Sequence, residues 1–240
     1  MQAVRQLLPS SDIVYFGDIA HAPYGSKSQE ELSLRTAEAL TLLRERGAER
    51  IISACNTASA SLALSLYDAF GMEPNSILEM VGPTVTYFKD SPERIILCAT
   101  PATIRSGVYQ NAFYMLGREV GAVAVPDLAG AIEFGEGIDK QKELIERAFK
   151  DTNWSNVDTL ILACTHYPLA LPQFRALIPK EVFIFDPAVA VAERAVRQFW
   201  PQEVRDGKTS FLINKDSKTF RDLVAKMFPG TEGLVEVIQN

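Results

Sequence analysis

Six short apolar runs separated by amphipathic stretches set the architecture of this 240-residue chain: residues 13–16, 51–54, 94–97, 123–125, 160–163 and 182–185. Runs this short, without polar alternation, suit strands buried on both faces, and helical stretches between them are the covers such strands need. The pattern predicts an α/β fold of mainly parallel sheets flanked by helices. The clearest helix opens at Ser28, whose hydroxyl can cap a free amide while Glu31 reaches back, with Leu32, Thr36, Ala39 and Leu43 on one face and Gly47 as its stop. Further helices are predicted over 57–70, 103–116, 139–149, 187–200 and 217–228. Linker-like stretches at Lys89–Pro92 and Pro201–Lys208 suggest two lobes. The first is 1–92 plus 187–240, containing Cys55; the second is 93–186, containing Cys164.

Two of the runs end alike. Residues 50–57 and 159–166 are each an apolar strand closing on Ala-Cys and followed by a polar pair, Asn56-Thr57 in one case and Thr165-His166 in the other. A thiol where a strand meets a helix start lies among free backbone N–H groups and near the positive end of the helix dipole, both of which stabilise a thiolate. The same amides can hold a carboxylate. Two such sites facing each other would bracket a small acid, with one thiol as base on one face of a carbon and the other as acid on the opposite face. Thiols with an ordinary pKa near ~8.5 can exchange those roles at neutral pH. The scheme requires neither metal nor organic cofactor.

Composition narrows the partners. Lys and Arg number 24 against 30 Asp and Glu, a net charge of −6, which lacks the positive field that nucleic acid or an anionic membrane requires. The N-terminus has no unbroken apolar segment of signal-peptide type, and nowhere do 18 apolar residues run together. Three cysteines make an odd number in a long chain, as expected of a reducing cytoplasm rather than a disulfide framework.

Five segments carry a family resemblance. Residues 18–28 (Asp-Ile-Ala-His-Ala-Pro-Tyr-Gly-Ser-Lys-Ser), 54–60 (Ala-Cys-Asn-Thr-Ala-Ser-Ala) and 163–169 (Ala-Cys-Thr-His-Tyr-Pro-Leu), with 99–106 and 131–135 between them, resemble the signature segments of cofactor-independent glutamate racemases. They occur in order and at family-like spacing across essentially the whole chain. The resemblance implies two pseudo-symmetric α/β lobes with the active site between them, often in a homodimer. It implies interconversion of L-glutamate and D-glutamate with Cys55 and Cys164 as the two acid/base thiols, and D-glutamate supply for peptidoglycan. By the same resemblance Tyr24, Gly25, Asn56, Thr57, Thr165 and His166 contact the substrate's amino and carboxylate groups. Glu133 and His166 help to orient the second thiol, and Thr103 reaches toward the substrate.

One departure stands out. The family normally opens with a short strand ending in Asp-Ser-Gly, whereas Met1 begins at what looks like the helix after it. The expectation is that Met1 is an internal methionine of a longer natural chain; the alternative is a truncated relative with impaired folding or activity.

Plainer readings compete with these roles. Either cysteine could be a small core hydrophobe, and Cys98, with no polar follow-on, is expected to be one. His166 could merely cap a helix, Pro23-Tyr24-Gly25 could be an ordinary turn, and Glu133 could be surface charge. No local pairing of Cys and His has zinc-ligand spacing. The functional alternatives are an aspartate racemase or another small-acid isomerase, a racemase-like binding protein without catalysis, and a cysteine hydrolase built on Cys164 and His166.

Overall fold

The computed structural model describes residues 1–62, 73–199, 204–231 and 234–238. Its centre is a four-stranded, fully parallel sheet in the order β5 (Gly121–Ala124), β4 (Ile95–Ala99), β6 (Thr159–Ala163), β7 (Phe183–Phe185). Every residue of β6 is buried, which is why its sequence is apolar throughout instead of alternating. The alternation lies in which face each side chain serves. Leu160 and Leu162 join Cys98, Leu128, Ile145, Tyr167 and Phe174 on one side, while Ile161 and Ala163 join Leu97, Tyr109, Phe113 and Phe185 on the other. Helices α7 (Leu128–Glu133), α8 (Ile138–Phe149) and α9 (Leu171–Leu177) cover the first side, and α5 (Pro101–Ser106) with α6 (Val108–Met115) follows β4.

The remaining strands lie outside residues 95–185 and form two parallel groups. In one, β8 (Thr209–Ile213) sits between β1 (Ile13–Gly17) and β9 (Val235–Val237); in the other, β2 (Ile51–Ile52) pairs with β3 (Ile77–Leu78). Ile13 to Gly17 register with Thr209 to Ile213, so the C-terminal segment builds directly onto the start of the chain. Helices α1 (Gln2–Leu7) and α10 (Ala188–Gln198) pack together, and α4 (Val81–Tyr87) packs on α10. Helix α11 (Lys218–Met227) covers β8 through Phe220 and Val224.

The predicted helix opening at Ser28 is α2 (Gln29–Glu45), with both halves of the capping box formed. Its buried residues are Leu32, Thr36 and Leu40, so the inward face turns one residue from the predicted Ala39. The stretch predicted as one helix over 103–116 is two, because Gly107 adopts φ 66° and breaks the chain between α5 and α6. The helix predicted over 57–70 begins at α3 (Asn56–Ser59); residues 63–70 lie outside the described residues, as do 200–203 of the predicted 187–200 helix and 201–208 linker. The short strands β3, β8 and β9 have no counterpart among the predicted runs. Among the described residues no helix is long and apolar enough to cross a membrane.

Candidate active site

Cys55 is the N-cap of α3: its backbone is extended at φ −125°, and its sulfur accepts the N–H of Ala58 at 3.5 Å. It holds this place because β2 ends just before it and Asn56 starts the helix, as the Ala-Cys-polar pattern anticipates. Burial pushes the Cys55 thiol up to about 11, against the lowering effect of the Ala58 and Thr57 hydrogen bonds, and a charge on Cys164 would push it the same way. Burial therefore favours the neutral thiol at Cys55 at neutral pH.

Around Cys55 the next residues are held rigidly. Thr57 is buried, and its hydroxyl forms a closed ring with those of Thr100 and Thr103, at 2.9, 3.1 and 3.0 Å. Asn56, 2% exposed, accepts a hydrogen bond from the Tyr109 hydroxyl at 2.5 Å, while its amide nitrogen has no partner among the described residues. A buried donor of this kind is costly unless an acceptor reaches it, and a carboxylate is a chemically suitable one.

Tyr24 and Gly25 come from a 3-10 turn, Tyr24–Ser26, laid against α3 and α5. A Cβ on Gly25 would stand 2.8 Å from Cβ of Thr100, so the close approach, rather than turn geometry alone, requires glycine. The Tyr24 hydroxyl donates to Asp18 at 2.5 Å. Burial and that hydrogen bond keep the phenol protonated, and a charge on Cys55 would reinforce the effect.

Cys164 follows β6 and is 6% exposed. Thr165 and His166 form the turn into a second 3-10 segment, Tyr167–Ala170, with His166 at its N-cap. His166 Nε2 lies 2.5 Å from Glu133 Oε2 at the end of α7, and the ring follows Cys164 by two residues. Burial disfavours an imidazolium here, but the influence of Cys164 and the hydrogen bond to Glu133 outweigh it and raise His166 to about 10. The imidazole therefore carries a positive charge beside a sulfur.

The predicted residues thus fall in two clusters, Tyr24-Gly25-Cys55-Asn56-Thr57 and Cys164-Thr165-His166-Glu133. Thr165 is linked to its cluster by chain adjacency. Cys98 is fully buried on β4 and shares with Cys164 the apolar core on one side of the central sheet. Thr100 and Asp18 fall within segments already singled out, whereas Tyr109 and Asn214 reach the site from 53 and 196 residues away and carry no local signal. Two recesses of about 480 Å³, one at residues 92–96 with 118–121 and one between α4 and α10, contain none of these residues. Among the described residues no group of His, Cys, Asp and Glu could hold a metal ion.

Known proteins are similar to this chain in sequence and in fold. A glutamate racemase of Aquifex aeolicus (strain VF5) is 35% identical over 234 residues, covering 97% of this chain and 89% of that one. A glutamate racemase of Desulforudis audaxviator is 34% identical over 198 residues, covering 81% and 72%. The solved glutamate racemase from Aquifex pyrophilus superposes with a TM-score of 0.77 at 27% identity, covering 94% of this chain and 88% of that one. The profile of the Asp/Glu/Hydantoin racemase family matches residues 1–195, and the chain belongs to that family.

Proposed function

We propose that this protein is a glutamate racemase that interconverts L-glutamate and D-glutamate by two-thiol acid/base catalysis. The observation that carries the reading is the matched placement of Cys55 and Cys164, each just past the C-terminal end of a parallel strand and followed by a polar pair that opens a helical turn. The glutamate racemases to which the chain is similar supply the substrate. In one direction a thiolate on one side takes the α-hydrogen as a proton and becomes a thiol, while the thiol on the other side delivers its proton to the opposite face of the carbon and becomes a thiolate. The enzyme finishes with its two protonation states exchanged, ready for the reverse direction or for proton exchange with water.

Cys55, a neutral thiol at rest, serves as acid when Cys164 is the base. The imidazolium of His166, oriented by Glu133, supports negative charge on Cys164. The Asn56 amide nitrogen and the backbone N–H groups at the two strand ends donate to the substrate carboxylate and to the charge that develops on it, a preorganised arrangement of the kind that supplies the largest part of many rate enhancements. Tyr24, Gly25, Thr57, Thr103 and Thr165 complete the binding surface. The reaction draws on no organic cofactor or metal. The two thiol clusters belong to two lobes, 1–92 with 187–240 and 93–186, and the product serves peptidoglycan synthesis in the cytoplasm.

The test is incubation with L-glutamate in deuterated water, following α-hydrogen exchange by NMR and loss of optical activity. Both are expected. Binding of glutamate without either would leave a binding protein, and faster turnover of aspartate would redirect the assignment to an aspartate racemase.

A further inference from the structure

The loop that carries Tyr24 and Gly25 is tied at its root to a residue from the far end of the chain. Asp18, whose side chain is 10% exposed, receives hydrogen bonds from Tyr24 on one oxygen and from His21 Nδ1 (2.7 Å) and Asn214 Nδ2 (2.6 Å) on the other. Asn214 then accepts the backbone N–H of Ala20 at 2.9 Å through its own carbonyl. One amide thus holds the loop twice, once through the Asp18 carboxylate and once through backbone. Asn214 directly follows β8, whose parallel register against β1 brings Ile213 beside Gly17; the pairing of the strands puts Asn214 beside the loop that leaves β1. It also lies beyond residue 195, where the family match ends.

We propose that Asn214 is a positioning residue for the substrate-facing loop 18–26, acting through Asp18 to fix the Tyr24 hydroxyl and the Gly25 backbone beside Cys55. The chemistry requires a primary amide, since donor and acceptor are used at once on partners of opposite kind, a carboxylate and an N–H. Deleting it releases both ties. The Tyr24 proton stays committed to Asp18 only while that carboxylate is held in place, and its commitment leaves the phenol oxygen as an acceptor toward the cleft. The substrate group it would meet is an ammonium, so this inference rests on the racemase reading above.

The experiment compares the unsubstituted protein with N214A and N214D by hydrogen–deuterium exchange and by racemisation kinetics over pH 5–9. In N214A, exchange across residues 18–26 should rise roughly tenfold while residues 159–185 stay unchanged, and KM should rise by about tenfold with kcat altered much less, the size expected for a lost charge-assisted hydrogen bond. In N214D the new carboxylate faces Asp18, with His21 and Tyr24 on the loop and Lys215 and Asp216 on its own segment. At pH 8 it should behave like N214A or worse. As pH falls and the new carboxyl protonates, it offers an O–H and a C=O in the geometry of the amide, so its activity relative to the unsubstituted protein should recover, which a purely structural defect would not do. Unchanged exchange in N214A, a rise spread over the whole protein, or N214D and N214A keeping parallel pH profiles would overturn the proposal. If the unsubstituted protein fails to racemise glutamate, the functional reading falls, and loop exchange alone still decides the role of Asn214.

Discussion

His166 Nε2 and Glu133 Oε2 stand 2.5 Å apart, and Cys164 acts on the same imidazole to favour its charged form. A histidine between a carboxylate and a thiol keeps its proton well past neutrality, because both neighbours favour the imidazolium more than burial disfavours it.

Glu133→Gln should lower the pKa of His166 and reduce kcat more than it raises KM, since the carboxylate orients and charges the ring without reaching substrate. The chain has two histidines, so NMR titration of the imidazole protons, with His21→Asn for assignment, reads the shift directly. A His166 pKa unchanged in Glu133→Gln would contradict the role.

The same pair gives stability a pH dependence of defined sign. The folded pKa of His166 is raised above its ordinary 6.5, to about 10, so its contribution is complete below about 6.5 and is lost as pH rises through about 10. Urea midpoints measured from pH 6 to 10 should fall more steeply in the unsubstituted protein than in His166→Asn.

Cys55→Ser and Cys164→Ser should each reduce racemisation by roughly 10²–10⁴-fold, the usual worth of a positioned general acid or base. Cys98→Ala should leave the rate largely intact and lower stability by about 1 kcal/mol, because Cys98 is fully buried in the core and loses only packing. Rates and thermal midpoints of the three variants separate the chemical thiols from the structural one.

Gly25→Ala should cut kcat/KM by roughly tenfold or more. Its Cβ would meet Thr100 Cβ at 2.8 Å and Cγ2 at 2.9 Å, and one of the two segments must give way, at an overpacking cost of about 1–3 kcal/mol. Normal kinetics in Gly25→Ala would show that the turn and Thr100 are not held against each other.

Tyr109→Phe removes the partner of the buried Asn56 carbonyl. It should cost about 1–3 kcal/mol of stability and weaken glutamate binding, read by calorimetry, because Asn56 is then free to reorient.

Much of the site was legible in the sequence because its parts are local. The Ala-Cys-polar pattern marks a strand end and helix start within eight residues, and Ser28 with Glu31 marks a cap within four, so both thiols, their polar followers and the opening of α2 could be read directly. What escaped was set by tertiary pairing. Strand β9 is only three residues long, and the Thr-Ser start of β8 breaks the apolar run; they become strands because Thr209–Ile213 finds β1 and Val235–Val237 finds β8. Tyr109 and Asn214 hydrogen-bond to Asn56 and Asp18 across 53 and 196 residues of chain, and no spacing rule reaches that far. The break at Gly107 escaped for a different reason: an isolated glycine in a helical pattern is tolerated as often as it interrupts.

The central claim is that two thiols work on opposite faces of one carbon, and the most direct measurement is the isotope content of both glutamate pools at early conversion in deuterated water. The account predicts D-glutamate carrying one deuterium at Cα while the remaining L-glutamate keeps its protium, because the proton delivered comes from a second, solvent-equilibrated thiol. Product that retains the original α-protium, or deuterium appearing in recovered L-glutamate as fast as in product, would mean that a single base serves both faces.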